Sequence, residues 1–352
     1  MNRLEITASP NHEVTNQHYQ RMLHITNGDS VIASFRAGSI PGVYLPWRDV
    51  LHDGPVPQTA TLEELSDIRA RQIAGSHLDE FEEIRASFAE RDRTLAGFRS
   101  HDETVLWFEH DLYDQLQLLQ LLDWFSRQDL ARARLSIIQI GEHPELPDFH
   151  GLGELSGPQL AELLPARTPV SARQLELGRQ AWEAFRAPDP IALENLAHHA
   201  DAAMPFLQAA LQRLLEEYPS TRNGLSRTEY QLLAAGAAGA RHRHDFYLRS
   251  QQWKRSVDRP QRDEWQGDAT PWGDSSVYDR LDRLASSHHP ALDRLGDDEF
   301  AINHLGHRLL TGADDWIISN GIDVWLGGVH LTGAGGWRWD ETRRTLQHGW
   351  AV

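Results

Sequence analysis

Cysteine is absent from the 352 residues, and that absence removes disulfides, thiolate nucleophiles, Cys-ligated zinc and iron–sulfur clusters together. Lysine is nearly absent too. Lys254 is the only one, so almost all of the 34 basic residues are arginine. No G-x-x-x-x-G-K-[ST] occurs, which excludes a standard P-loop. A Schiff-base mechanism would have to rest on Lys254, in the polar stretch Gln251-Gln252-Trp253-Lys254-Arg255. No apolar run approaches the roughly 20 residues that span a bilayer, and no signal-peptide pattern is visible. The expectation is therefore a cytoplasmic protein with no membrane partner.

Acid is what the chain has in excess. The 51 acidic residues leave a formal charge of −17, which disfavours non-specific binding to nucleic acid. An arginine-rich, lysine-poor, acidic chain also fits a GC-rich genome or a salty habitat. Apolar content of 40% with 24% charged residues describes a globular chain, long enough for two domains with separate cores.

The stretch around which the chain is organised is T-V-L-W-F-E-H-D-L-Y-D-Q, residues 104–115. Val105 to Phe108 is a continuous apolar run, as in a strand buried on both faces of a parallel sheet. It stops at Glu109-His110-Asp111. Leu116, Leu119, Leu122 and Phe125 then recur with the helical period. Strand, polar cluster, helix is the junction at which open α/β sheets usually hold ligands.

Other segments repeat the alternation. Residues 23–26 read as the first strand, 27–30 as its turn and 31–37 as a helix ended by Gly38. Residues 42–46 form a second short strand, and Asp53-Gly54-Pro55 a turn. The capping box Thr61-Leu62-Glu63-Glu64 opens a helical stretch to about Phe98, and Leu135 to Ile140 is a further strand. Strands alternating with helices predict an α/β, Rossmann-like parallel sheet.

The expected organisation is a disordered extension over 1–21, with translation starting at Met22, and the α/β domain over 22–145. A Pro- and Gly-rich stretch then leads into a helical connector over 146–222, with helices at 172–187, 191–199 and 205–217. Residues 223–352 are expected to form a winged helix-turn-helix domain. Its pattern is a helix from the capping box Ser226-Arg227-Thr228-Glu229, a second at 245–250, a recognition helix at 277–285 and a wing strand at 300–302. Asn303 to Leu310 resembles the T-x-x-G-x-x-L-L helix that follows the wing in many bacterial winged-helix proteins. Residues 316–318 and 324–329 read as strands.

Each expected strand of the α/β domain ends in polar residues. They are Asn27, Gly28, Asp29 and Ser30; then Arg48, Asp49, His52, Asp53 and Gly54; then Glu109, His110, Asp111 and Asp114; and finally Glu142 and His143. In a parallel sheet these ends share one edge and can converge on one cleft. The doublets His52-Asp53 and His110-Asp111 carry acid/base or metal-ligand character, and imidazole with carboxylate suits a divalent metal. Each has a plain structural reading as well: an Asp that caps the following helix and a His satisfied by backbone. Gly28-Asp29-Ser30 lies at a helix start, but the Asp29 carboxylate opposes anion binding there and suits ligand hydroxyls or a metal. An Asx-type turn with Ser30 as N-cap is the structural counterpart.

On the expected recognition helix Arg280 and Arg283 accompany Asp279 and Asp282, which repel phosphate, so packing or dimerisation is favoured over DNA reading.

At 23–30, L-H-I-T-N-G-D-S resembles the opening H-I-x-x-G-D-S of a bacterial family catalogued only as a domain of unknown function. Residues 45–55, L-P-W-R-D-V-L-H-D-G-P, are similar to its D-x-L-x-x-G-P segment, and Leu106-Trp107-Phe108-Glu109-His110-Asp111 fits it too. The resemblance spans 22–143. It implies a Rossmann-like fold followed by a helical C-terminal domain, points to Asp29, Asp49 and Gly54-Pro55, and implies no activity. The function expected from the residues is binding of a small polar metabolite, nucleotide- or sugar-like. Acid/base or metal-assisted hydrolase or transferase chemistry would use His110, Asp111 or His52, with a divalent metal as the cofactor left open. A ligand-sensing transcriptional regulator and a non-catalytic scaffold are the alternatives, with a homodimer as a further expected assembly.

Overall fold

The computed structural model describes residues 22–75, 78–130, 132–146, 149–251, 253–255, 263–265 and 274–349. The disordered extension expected over 1–21 lies outside the described residues. The chain divides into two compact units. The first comprises the chain up to Val50, Thr59–His110 and Asp114–Trp182; the second comprises Leu51–Gln58, Asp111–Tyr113 and Glu183–Val352.

In chain order the structure runs β1 (Met22–Thr26), α1 (Ile32–Ala37), β2 (Val43–Pro46), the two-residue β3 (Gly54–Pro55) and α2 (Leu62–Ala74). Then come α3 (Leu78–Ala96), β4 (Glu103–Glu109), α4 (Leu112–Ser126), β5 (Arg134–Ile140), α5 (Gly157–Leu163), β6 (Thr168–Pro169) and α6 (Ala172–Phe185). The first unit is a mixed α/β, Rossmann-like body with a five-stranded sheet ordered β2-β1-β4-β5-β6. Strands β2, β1, β4 and β5 are parallel and β6 is antiparallel. Val105, Leu106, Trp107 and Phe108 are all fully buried, as a strand covered on both faces requires. In α4, Leu116, Leu119, Leu122 and Phe125 are buried, and so are Leu118 and Leu121, so this helix is enclosed nearly all round.

Two expectations change here. The helical stretch from Thr61 to Phe98 is two helices, because Gly75 adopts a left-handed φ of 56° that ends α2. Its start keeps the capping box, with the Thr61 hydroxyl accepting the Glu64 N–H. The stretch after residue 145 is no free connector up to Trp182. Leu152, Leu155, Leu160 and Leu164 join the core around Val31, Phe35 and Trp107, and β6 extends the sheet beside β5. A Pro- and Gly-rich texture marks loops, but it does not reveal that apolar side chains between them are buried.

The second unit contains α7 (Ile191–Ala197), α8 (Leu207–Leu215), α9 (Arg227–Ala237), α10 (Arg243–Gln251) and the hairpin of β7 (Trp253–Arg255) with β8 (Asp263–Trp265). There follow α11 (Asp274–Ser286), the hairpin of β9 (Leu292–Arg294) with β10 (Phe300–Ile302), and α12 (His304–Thr311). The chain ends with α13 (Trp316–Asn320), β11 (Ile322–Gly327), β12 (Val329–Gly333), β13 (Trp337–Asp340) and β14 (Thr345–His348). Residues 316–318, expected as a strand, are helical. The Asp315 carboxylate caps them by accepting the Ile318 N–H at 3.0 Å, and Gly321 stops the helix after one turn. Among the described residues no helix is long and apolar enough to cross a membrane.

Candidate functional site

Strand order marks the place in the first unit where a site is to be sought. From β1 the chain moves to β2 on one side, then returns past β1 to place β4 on the other. The winding direction therefore reverses between β1 and β4, and ligands of doubly wound sheets sit outside the strand carboxyl ends at such a point. The segments that flank it carry Asn27, Gly28, Asp29 and Ser30 on one side and Glu109, the last residue of β4, with His110 on the other. Arg48 joins from the loop after β2: its guanidinium grips the Asp29 carboxylate through two hydrogen bonds of 2.5 and 2.6 Å. Both side chains are more than half exposed, at 53% and 58%. Arg48 holds the Asp29 carboxyl below its ordinary range, against a smaller opposing effect of burial. Ser30 does not cap the helix, which begins at Ile32 without a side-chain cap.

The other acids at this edge are engaged locally. Asp114 accepts the Glu109 N–H at 2.7 Å, and its second oxygen accepts from the Asn27 amide. This ties the β1 loop to the first turn of α4. The Glu109 carboxylate accepts the Leu152 N–H at 2.5 Å. Side-chain oxygens of Glu109 and Asp114 lie within 4.8 Å of each other. Asp49 faces inward instead, onto Arg69 at 2.9 Å, with both side chains 1% exposed. It is separated from its exposed neighbour Arg48 by the alternation of the chain.

A turn that sequence reasoning missed lies across this edge. A Cβ on Gly151 would stand 2.4 Å from the Glu109 carboxylate, and one on Gly153 would stand 3.2 Å from Ser30. Two glycines thus let residues 151–153 run from the end of β4 to the β1 loop, while Phe149, Leu152 and Leu155 anchor them in the core. On the outer side of the turn, exposed Glu154 accepts both the His150 N–H at 2.9 Å and its Nδ1 at 3.2 Å. The signal was the run Phe149-His150-Gly151-Leu152-Gly153-Glu154, in which two glycines flank a leucine.

The remaining expected site residues belong to the second unit. They are His52, Asp53, Gly54 and Asp111. His52 is buried with its Nε2 3.1 Å from the Ser276 hydroxyl, and that hydroxyl donates to Asp53. Asp53 also meets Arg280 at 2.9 Å. Burial raises the Asp53 carboxyl, but the charges of Arg280 and His52 and the Ser276 and Arg280 hydrogen bonds outweigh it and bring the value down to about 2. Behind this pair, Glu217 takes Arg213 at 2.5 Å, the Thr228 hydroxyl at 2.7 Å and Arg280 at 3.5 Å. Its carboxyl is pushed up by burial and pulled down further by the two arginines, to about 2. Gly54 adopts φ 75° and pairs with Leu326 of β11, so glycine at this position serves the backbone. Asp111 is largely buried.

No family model matches the chain, and no curated protein matches it in sequence.

Proposed function

We propose that the first unit binds a small polar, hydroxyl-bearing metabolite, nucleotide- or sugar-like, at the carboxyl edge where β1 and β4 diverge. The observation that carries this reading is the exposed Asp29–Arg48 pair beside the reversal of strand order. An exposed ion pair contributes only about 0–1 kcal/mol, so a ligand can exchange into it, hydroxyls onto Asp29 and an anionic group onto Arg48. Acid/base hydrolase or transferase chemistry at this edge is assigned to His110, which follows β4. It is favoured over metal assistance because Glu109 and Asp114 already accept from Leu152, Asn27 and the Glu109 N–H.

The test is thermal denaturation of the full chain with nucleosides, nucleotides and sugar phosphates, each with and without magnesium. A ligand at 100 times its dissociation constant adds about 2.7 kcal/mol and raises the midpoint. The expected result is a shift with one class that Asp29→Asn abolishes without changing the unliganded midpoint by more than the small worth of its surface pair. No shift with any member of the panel overturns the reading.

A second reading concerns residues 227–302. The order α9, α10, α11 and hairpin β9–β10 supports a winged helix, as does the isolated antiparallel bridge between His242 and Glu299 beside the hairpin. We infer that this module packs or dimerises and does not read DNA. Arg280 of α11 is turned inward to Asp53 and Glu217, and Arg283 is held by Glu229 at 2.6 Å, while Asp279 is exposed. Binding of duplex DNA at low salt, where electrostatic attraction is greatest, would refute this inference.

A further inference from the structure

The interior of the first unit contains polar atoms that the protein itself does not satisfy, gathered where α2, α3 and α4 meet the loop after β2. Asp49 Oδ1 takes Arg69 Nε, while Asp49 Oδ2 is buried with no hydrogen-bond partner from the chain. Gln117 of α4 donates its amide to the Asp49 carbonyl at 2.8 Å, and its own Oε1 is likewise buried without a partner. One turn further along α4, Gln120 accepts the Trp47 indole N–H at 2.8 Å. Arg91 of α3 stacks over that Trp47 ring at 4.0 Å and donates Nη2 to Ser66, and its Nη1 is buried without an acceptor. Two orphaned acceptors and one orphaned donor therefore lie on side chains linked by these contacts through Trp47 and Gln120, all at least nine-tenths buried.

We propose that this neighbourhood is an internal hydration site, in which enclosed water donates to Asp49 Oδ2 and Gln117 Oε1 and accepts from Arg91 Nη1. The chemistry selects water over the other small occupants. A metal ion would have to meet the Arg91 guanidinium, and the local charge is already balanced because Asp49 faces Arg69 and Asp92 faces Arg91. An apolar occupant would leave every one of these groups unsatisfied, and an unmade buried hydrogen bond costs more than a made one gains. Water supplies two donors and two acceptors, and buried waters typically make about three hydrogen bonds to groups of this kind. The proposal also separates Asp49 from the edge site: its inward oxygen is a water acceptor, and its outward neighbour Arg48 meets the ligand.

Magnetic relaxation dispersion of water oxygen-17 counts water molecules that stay in the protein far longer than surface water. The full chain is expected to show such a population, and Gln117→Met, which removes one acceptor and fills the space, is expected to lose part of it with an unchanged circular-dichroism spectrum. Equal dispersion in the two proteins overturns the proposal. If Gln117→Met does not fold, a crystal structure of the unaltered chain decides. Density bonded to Asp49, Gln117 and Arg91 supports the site, and direct contacts among those three side chains without intervening density overturn it.

Discussion

At the scale of single residues, burial determines the behaviour of the histidine that follows Leu23. His24 lies within β1, where it accepts the Trp107 indole N–H on Nδ1 at 3.0 Å and has its Nε2 3.3 Å from the Pro41 carbonyl. Both nitrogens are used by the neutral ring, and burial lowers its pKa to about 4. The unfolded chain, with an ordinary value near 6.5, binds this proton first. The neutral ring's contribution is therefore present above about pH 6.5 and lost as the pH falls through about 4, in all on the order of 3 kcal/mol. Urea midpoints of the unaltered chain should drop between pH 7 and pH 4, and His24→Gln should shrink that drop; an identical drop in both would refute the assignment. Arg48 illustrates the opposite case. Its exposed pair with Asp29 predicts that Arg48→Ala changes stability by less than about 1 kcal/mol, while abolishing any ligand-induced shift at the edge. A larger loss of unliganded stability would mean that the pair is structural.

At the scale of elements, the strand from Glu103 to Glu109 and the helix after it were legible because a fully buried strand and an enclosed helix both write themselves as uninterrupted or periodic apolar residues. The capping boxes at Thr61 and Ser226 were legible for the same local reason. What was not legible depends on distant partners. Residues 316–318 are apolar enough for a strand, and the Asp315 carboxylate that caps them as a helix is itself held by Arg338, a partner far along the chain. Alternation also says nothing of long-range pairs such as Asp53 with Arg280, more than two hundred positions away. The close approach of α5 to Gly38 is another long-range feature, and it makes a prediction. In Gly157→Ala the new methyl would stand 2.2 Å from the Gly38 nitrogen, where backbone has to move. A loss of about 3 kcal/mol in urea denaturation is expected, and a midpoint equal to the parent's would show that the two backbones do not touch. Arg280→Met on α11 leaves Asp53 without its arginine and Glu217 with only Arg213, and should cost about 3–5 kcal/mol.

At the scale of the molecule, the excess of acid coexists with cores in which arginine and carboxylate are paired, and the second unit depends on a short piece of chain far from the rest of it. Residues 51–58 precede most of the first unit in sequence, yet they supply the second unit with Asp53 for Arg280, with the buried Val56, and with β3 for the edge of β11. A fragment of residues 183–352 should therefore not reproduce the second unit. Its Arg280 would keep Glu217 but lose Asp53, and Leu326 and Gly327 would lose their parallel partners. Leaving part of a buried ion network unmet costs several kcal/mol, a large share of a domain's stability of about 5–15 kcal/mol. Circular-dichroism melting of this fragment is expected to show a broad, early transition, and a synthetic peptide of residues 51–58 added in excess is expected to sharpen and raise it. A peptide carrying Asp53→Asn should do so less, and the difference should vanish as the pH falls toward 2, because the depressed Asp53 carboxyl contributes above its ordinary range and loses its charge there. A fragment that melts alone as sharply as the second unit does in the full chain would show that the segment is an ornament of that unit and not part of its core.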